Sequence, residues 1–227
     1  MYAAGSQIRG VAFFGRHVVL AADDGAPVNA FAELAQTKES ARMIVGPRRT
    51  VEAYWDRVKD RHATPRLVRK SQPLLVVDRK TLRGETRGVT VRRALPREWE
   101  LVARNSAAMI RDELGYDPRA SSHEFDSNTR TSVERGVWWV GEHDAAICFF
   151  TSEGPYSART LQLQGIWTPP ELRGRGLATA SLHGICAALL DEYPTLSLYV
   201  NDFNAPALRL YGRLGFTQAG EFSTLLF

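Results

Sequence analysis

The residues best suited to chemistry lie in Pro170-Glu171-Leu172-Arg173-Gly174-Arg175-Gly176-Leu177-Ala178, between the apolar run Leu161 to Trp167 and an apolar-periodic helix. A helix N-terminus leaves backbone N–H groups unpaired and carries a partial positive charge, so a basic, glycine-rich turn there suits a phosphate. Gly174 and Gly176 allow close backbone approach, Arg173 and Arg175 add charge, and Ala178 is small enough to seat the helix against a sheet. The absence of a lysine excludes a Walker A loop, and Thr179 stands where a dinucleotide fingerprint needs its third glycine. Further on, Asn204 is a good helix cap and Pro206 fits a first turn. Ala207, Leu210, Tyr211 and Leu214 then share one helix face, which turns Tyr211 inward. Read singly, the turn could be an ordinary strand-to-helix connection and Tyr211 a core aromatic.

The elements that must position these residues follow from periodicity. Ile8 to Ala21 reads as one or two strands with a turn at Gly15, Val28 to Ala35 as a short helix, and Arg42 to Val45 as a strand stopped by Gly46-Pro47. Val51, Tyr54, Trp55 and Val58 make an amphipathic helix, and Leu74 to Val77 a buried strand. Val89 to Arg93 is a strand, followed by a helix with Trp99, Val102, Ala103, Ser106, Met109 and Ile110 on one face. Gly115 to Thr131 is polar and turn-rich, a loop or a broken helix. Val137 to Val140 and Ala145 to Phe150 flank Gly-Glu-His-Asp as a hairpin. Leu161 to Thr168 feeds the Arg/Gly turn. A helix through Ala178, Leu182, Ile185, Cys186 and Leu189, the strand Leu196 to Val200, the Tyr211 helix and a final strand Thr224 to Phe227 complete the chain.

Composition narrows the class. With 227 residues, 44% of them apolar, the chain can bury a sizeable core in one large or two small domains. No apolar run approaches the ~18–20 residues that span a bilayer, and Arg16 and His17 interrupt any signal-like segment after Val11-Ala-Phe-Phe14. Cys148 on a strand and Cys186 on a helix read as reduced, buried thiols, which points to a cytoplasmic protein. The five histidines lack ligand spacing, so no metal is expected. Residues 1–95 carry 18 Lys+Arg against 9 Asp+Glu, whereas residues 96–227 carry 11 against 16. This asymmetry places a domain boundary near Thr81–Val89. The scattered arginines of the basic part carry no interleaved aromatics, so a solvated face is favoured over a nucleic-acid surface.

Arg-x-x-Gly-x-Ala (Arg173 to Ala178) followed by Asn-x-x-Ala-x-x-x-Tyr-x-x-x-Gly-Phe (Asn204 to Phe216) resembles the two closing motifs of the GNAT N-acetyltransferases. Gly165 to Phe227 is similar to actinobacterial members of that family that carry an extra N-terminal domain of unknown function. Met43 to Pro47 and Gln72 to Asp78 look like that extra domain. The resemblance implies an α/β (α+β) fold: a C-terminal GNAT domain over 85–227, with a mixed central sheet and flanking helices, preceded by a small basic α/β domain over 1–84. It implies acetyl-CoA as cosubstrate, held at the diphosphate by the N–H groups of Arg173, Gly174, Arg175, Gly176, Leu177, Ala178 and Thr179 and at the pantetheine by Ile166, Trp167, Thr168 and Asn204. N–H groups of the Ile166–Thr168 strand would form the oxyanion hole, and Tyr211 would be the general acid beside the sulfur. Tyr199 stands where some members carry a glutamate base, so the base is open among Glu113, Glu142, Asp144 and Asp202, with Glu113 put forward. Gln162 and Gln164 share a strand face and could meet an acceptor. The expected partner is an amine acceptor, either a small molecule or a peptide or protein amine, with no membrane and a homodimer allowed. The alternative is a non-catalytic acyl-CoA sensor or interaction module.

Overall fold

In the computed structural model, which describes residues 1–23, 25–35 and 41–227, the chain divides into two compact units that interleave along the sequence. The first comprises Met1–Leu75, Tyr199–Ala205 and Gln218–Phe227; the second comprises Val76–Leu198 and Pro206–Thr217. The expected division at residue 84 is a single cut, whereas two later segments of chain group with the N-terminal residues.

The first unit opens with strands β1 (Tyr2–Ala4), β2 (Gln7–Phe14) and β3 (His17–Ala22), then helix α1 (Ala26–Ala35), strand β4 (Met43–Pro47) and helix α2 (Arg48–Val58). Strand β5 (Leu67–Asp78), whose last three residues belong to the second unit, is longer than the run Leu74 to Val77 suggests, because its polar first half alternates between half-buried and exposed positions. β3 pairs in parallel with β4, with Val18 opposite Ile44. The amphipathic faces of α1 and α2 cover one side of these strands, burying Val28, Phe31, Val51 and Tyr54 against Val18, Leu20 and Ile44. Burial raises the Tyr54 phenol to about 12. A buried polar chain also runs through this unit. Thr224 Oγ1 donates to Gln72 Oε1 (2.6 Å), and Gln72 Nε2 donates to Asn201 Oδ1 (3.0 Å). Each amide thus finds the partner that its burial demands.

The second unit contains β6 (Thr90–Arg93), α3 (Trp99–Leu114), the short α4 (Pro118–Ser121) and α5 (Phe125–Glu134). It continues with β7 (Trp138–His143), β8 (Ala146–Tyr156), β9 (Thr160–Trp167), α6 (Leu177–Leu189), β10 (Thr195–Tyr199) and α7 (Ala205–Arg213), whose first residue belongs to the other unit. The strands run in the order β10-β9-β8-β7-β6, antiparallel except for β9 with β10, so the sheet is mixed as expected. The β7–β8 hairpin turns at Asp144 and Ala145, both at positive φ, which is the geometry of the tight turn that matches strand twist. The strands therefore extend through Gly141 to His143, residues that read in sequence as turn. Ala94, Val102, Val133, Trp138, Val140, Phe150 and Trp167 form one core beneath α3 and α5. β11 (Thr217–Leu226) ends the fold, running from the second unit into the first, where it pairs antiparallel with β4.

The segment 115–131 is more helical than its composition suggests. Ser and Thr usually compete with the helix for backbone groups. Here Thr129 and Thr131 donate their hydroxyls to the carbonyls of Phe125 and Ser127, and Ser132 donates to Thr129, while Thr129 and Val133 are buried. The hydroxyls are satisfied within α5 itself.

Candidate active site

The nine residues Thr168–Gly176 carry the chain from β9 into α6. A single 3-10 turn over Pro170–Leu172 leads to Gly174 at φ +77° and Gly176 at φ +78°, a backbone region that costs an L side chain about 1–2 kcal/mol. Nothing lies within 4 Å of where a Cβ would sit on either glycine, so the constraint is conformational rather than steric. Gly176 caps α6 without any side-chain cap. The first N–H groups of the helix therefore have no intrahelical acceptor and open on exposed residues Arg173 to Gly176. A helix start of this kind can receive an anion, but the Arg173 N–H is not free for one, because it donates to the Pro170 carbonyl (3.2 Å).

The two arginines of the loop differ. Arg175 is exposed and makes no ion pair among the described residues. The Arg173 side chain turns back. Its Nε donates to the Thr168 carbonyl (3.0 Å), its guanidinium lies 4.5 Å over the Trp167 ring, and its Nη2 stands 3.6 Å from Asp112 Oδ2. No local pattern marks the Asp112 contact, because it closes a separation of 61 residues.

Strand β9 pairs with β10 only through Thr160–Gln162 opposite Thr195–Ser197. Ile166, Trp167 and Thr168 lie beyond the end of that ladder. On its other edge β9 is held by β8, with Trp167 opposite Phe150 and the Gln164 carbonyl accepting from Thr151 Oγ1 (2.9 Å). A register shift and Gly165 at φ +61° interrupt the strand just before Ile166. Of the two glutamines on this strand, Gln164 is exposed and Gln162 half-buried.

Tyr211 lies on α7, 6% exposed, its ring 5.7 Å from that of Phe216. Burial pushes the phenol well above its ordinary value, and the Glu113 carboxylate and Cys186 push it further. The fold thus brings Glu113, exposed on the last turn of α3, within electrostatic reach of Tyr211. The other candidate bases are placed differently. Glu142 is held by Arg92 through two hydrogen bonds (2.9 and 2.8 Å), and its carboxyl lies below the usual range because of them. Asp144 is exposed in the hairpin turn, 3.3 Å from His143 Nε2. Asp202, Tyr199 and Asn204 belong to the first unit. There Tyr199 packs on Phe222 (5.5 Å between rings), and the Asn204 N–H donates to the Asn201 carbonyl (2.9 Å). Both cysteines are free and buried, and no metal-binding group of three His, Cys, Asp or Glu occurs among the described residues.

The model of the acetyltransferase (GNAT) family matches residues 103–216, and a model described as a domain of unknown function (DUF4081) matches residues 1–102. A mycothiol acetyltransferase of Acidimicrobium ferrooxidans is 35% identical over 104 residues, 41% of this chain and 34% of that protein. One from Mycolicibacterium smegmatis is 28% identical over 110 residues, 47% of this chain and 32% of that protein. The matched part therefore spans about a third of these curated relatives. Among solved structures, an acetyltransferase of the GNAT family from Colwellia psychrerythraea shares the fold with a TM-score of 0.63 at 12% identity, covering 100% of this chain and 84% of that one. A GCN5-related N-acetyltransferase from Kribbella flavida does so with a TM-score of 0.58 at 17% identity, covering 92% and 80%.

Proposed function

Because the chain belongs to the acetyltransferase (GNAT) family, we propose that it transfers the acetyl group of acetyl-CoA to a primary amine by direct attack. The observation that carries this reading is the α6 N-terminus, uncapped by any side chain and reached through two left-handed glycines. N–H groups of Gly174 to Thr179 hold the diphosphate, that of Arg173 being taken by the Pro170 carbonyl (3.2 Å). Past the β10 ladder, N–H groups of the Ile166–Thr168 segment receive the thioester oxygen as it becomes an oxyanion. Loss of one such donor costs about 3–4 kcal/mol of transition-state stabilisation.

Proton movements fall to two side chains. An amine with a pKa near ~10 arrives protonated at neutral pH and must lose its proton before attack. Glu113 receives it, directly or through water, since it is exposed and close enough to Tyr211 to act on the phenol. The amine nitrogen bonds to the carbonyl carbon and the carbon–sulfur bond breaks. Sulfur leaves with the electron pair and takes the Tyr211 proton, while the nitrogen of the adduct releases its second proton to solvent, from which the phenolate is reprotonated. The upward shift of Tyr211 keeps that proton in place over the working pH range, so the phenol is always a donor when sulfur charge develops.

The test is a screen of small-molecule amines, amino acids and peptides as acceptors. Thiol release from acetyl-CoA with one of these acceptors supports the reading. Tyr211→Phe is expected to lower kcat by about 10²–10³-fold with KM for acetyl-CoA within twofold. Tight coenzyme A binding without thiol release from any acceptor would favour the acyl-CoA sensor instead.

A further inference from the structure

We propose that Arg173 is a positioning residue: it locks the opening of the phosphate loop to the end of β9 and to the last turn of α3, and it does not serve as a ligand of the diphosphate. The inference rests on the acetyl-CoA reading above and concerns how that site is held.

Three contacts fix the Arg173 guanidinium. Its face lies 4.5 Å over the Trp167 ring, its Nε donates to the Thr168 carbonyl at 3.0 Å, and its Nη2 stands 3.6 Å from Asp112. Trp167 is a firm platform, 7% exposed and packed with Val102 of α3, Phe150 of β8 and Val140 of β7. A planar guanidinium can stack and hydrogen-bond in one orientation, which an ammonium cannot do. The Asp112 pair is weaker support, because its side chains are 46% and 61% exposed and solvent screens it.

The partners explain why the placement matters. Thr168 follows Ile166 and Trp167 in the segment whose N–H groups face the thioester oxygen, and Asp112 adjoins Glu113. One side chain at the start of the loop therefore touches the segment that receives the oxyanion and the helical turn that carries the base. Arg175 sits two residues later with no ion pair among the described residues, and its charge is left for the diphosphate.

Three variants and two acyl donors separate the roles. S-acetylpantetheine keeps the thioester and pantetheine arm of acetyl-CoA but lacks the diphosphate and nucleotide. Arg173→Lys keeps the charge and loses the stack and the Nε bond. It should lower kcat/KM about 5–10-fold with both donors, at a melting temperature close to wild type. Asp112→Asn should give a smaller loss, again with both. Arg175→Ala should lower kcat/KM for acetyl-CoA only, chiefly through KM. A full-activity Arg173→Lys variant, or a loss confined to acetyl-CoA, would overturn the inference and leave the acetyltransferase reading standing. A wild-type chain inert toward both donors would overturn that reading and the inference together.

Discussion

Each unit contains a strand that runs into a helix with arginines at the junction, and the two junctions do opposite things. In the first unit β4 enters α2 directly: Pro47 is the cap residue and Arg48 is already helical. Arg48 is claimed by Glu52 at 2.8 Å and by Glu221, which also accepts from Ser71. In the second unit nine residues separate β9 from α6, two glycines take left-handed conformations, and Arg175 makes no ion pair among the described residues. The more basic half of the sequence is thus not the half with the uncapped, glycine-led helix start. Charge at a helix start is common. What sets the second junction apart is backbone that exposes helical N–H groups with no internal acceptor, which is what the proposed diphosphate site requires.

The largest effect should come from the glycine that closes the first junction. A Cβ on Gly46 would lie 2.1 Å from the Leu20 carbonyl oxygen on neighbouring β3. Gly46→Ala should therefore destabilise the chain by about 3 kcal/mol or more, read as a drop in melting temperature. Coenzyme A affinity, measured on the remaining folded protein, should be unchanged. A normal melting temperature would break the contrast between a steric glycine and conformational ones.

Next comes the ionic framework. Arg92 is held by Glu98 (2.7 Å) and Glu142 (2.8 Å), with Glu98 only 15% exposed. The Arg92 hydrogen bonds hold the Glu98 carboxyl below the usual range. A depressed folded-state value gives stability that is present above the unfolded pKa of about 4.3 and is lost as pH falls below it. Glu98→Gln should cost about 1–2 kcal/mol at pH 7 and flatten the acid side of the stability curve. An unchanged acid limb would remove this ion cluster from the account.

Gly176→Ala should cost less stability, about 1–2 kcal/mol, because only φ resists it and space does not. Its clearer signature is a coenzyme A dissociation constant raised about tenfold, the converse of the Gly46 result. The smallest effect belongs to Arg48→Ala, which removes exposed pairs and should leave both melting temperature and coenzyme A affinity near wild type. A loss of affinity there would mean that the first junction also handles the cosubstrate.

The parts of this arrangement that sequence exposes are those built from neighbours in the chain. The loop, α6, α7 and the inward side of Tyr211 follow from glycine placement and helical periodicity over a few turns. Grouping by contact was hidden. Nothing local marks Tyr199–Ala205 and Gln218–Phe227 as companions of the N-terminal residues, and the Gln72–Asn201–Thr224 chain joins positions more than 120 apart. Side-chain direction was hidden too. Arg173 reads as a phosphate ligand until the Trp167 platform is seen beneath it. Glu113 could be put forward from its place at a helix end, but its reach to Tyr211 depends on packing that no spacing rule supplies.

We propose that backbone N–H groups from Gly174 to Thr179 receive the diphosphate of coenzyme A. Calorimetric titration of coenzyme A into the wild-type chain tests it most directly. Saturable one-to-one binding that weakens as salt is added and is reduced in Gly176→Ala is expected. An absence of binding at millimolar coenzyme A, or binding indifferent to Gly176, would contradict it.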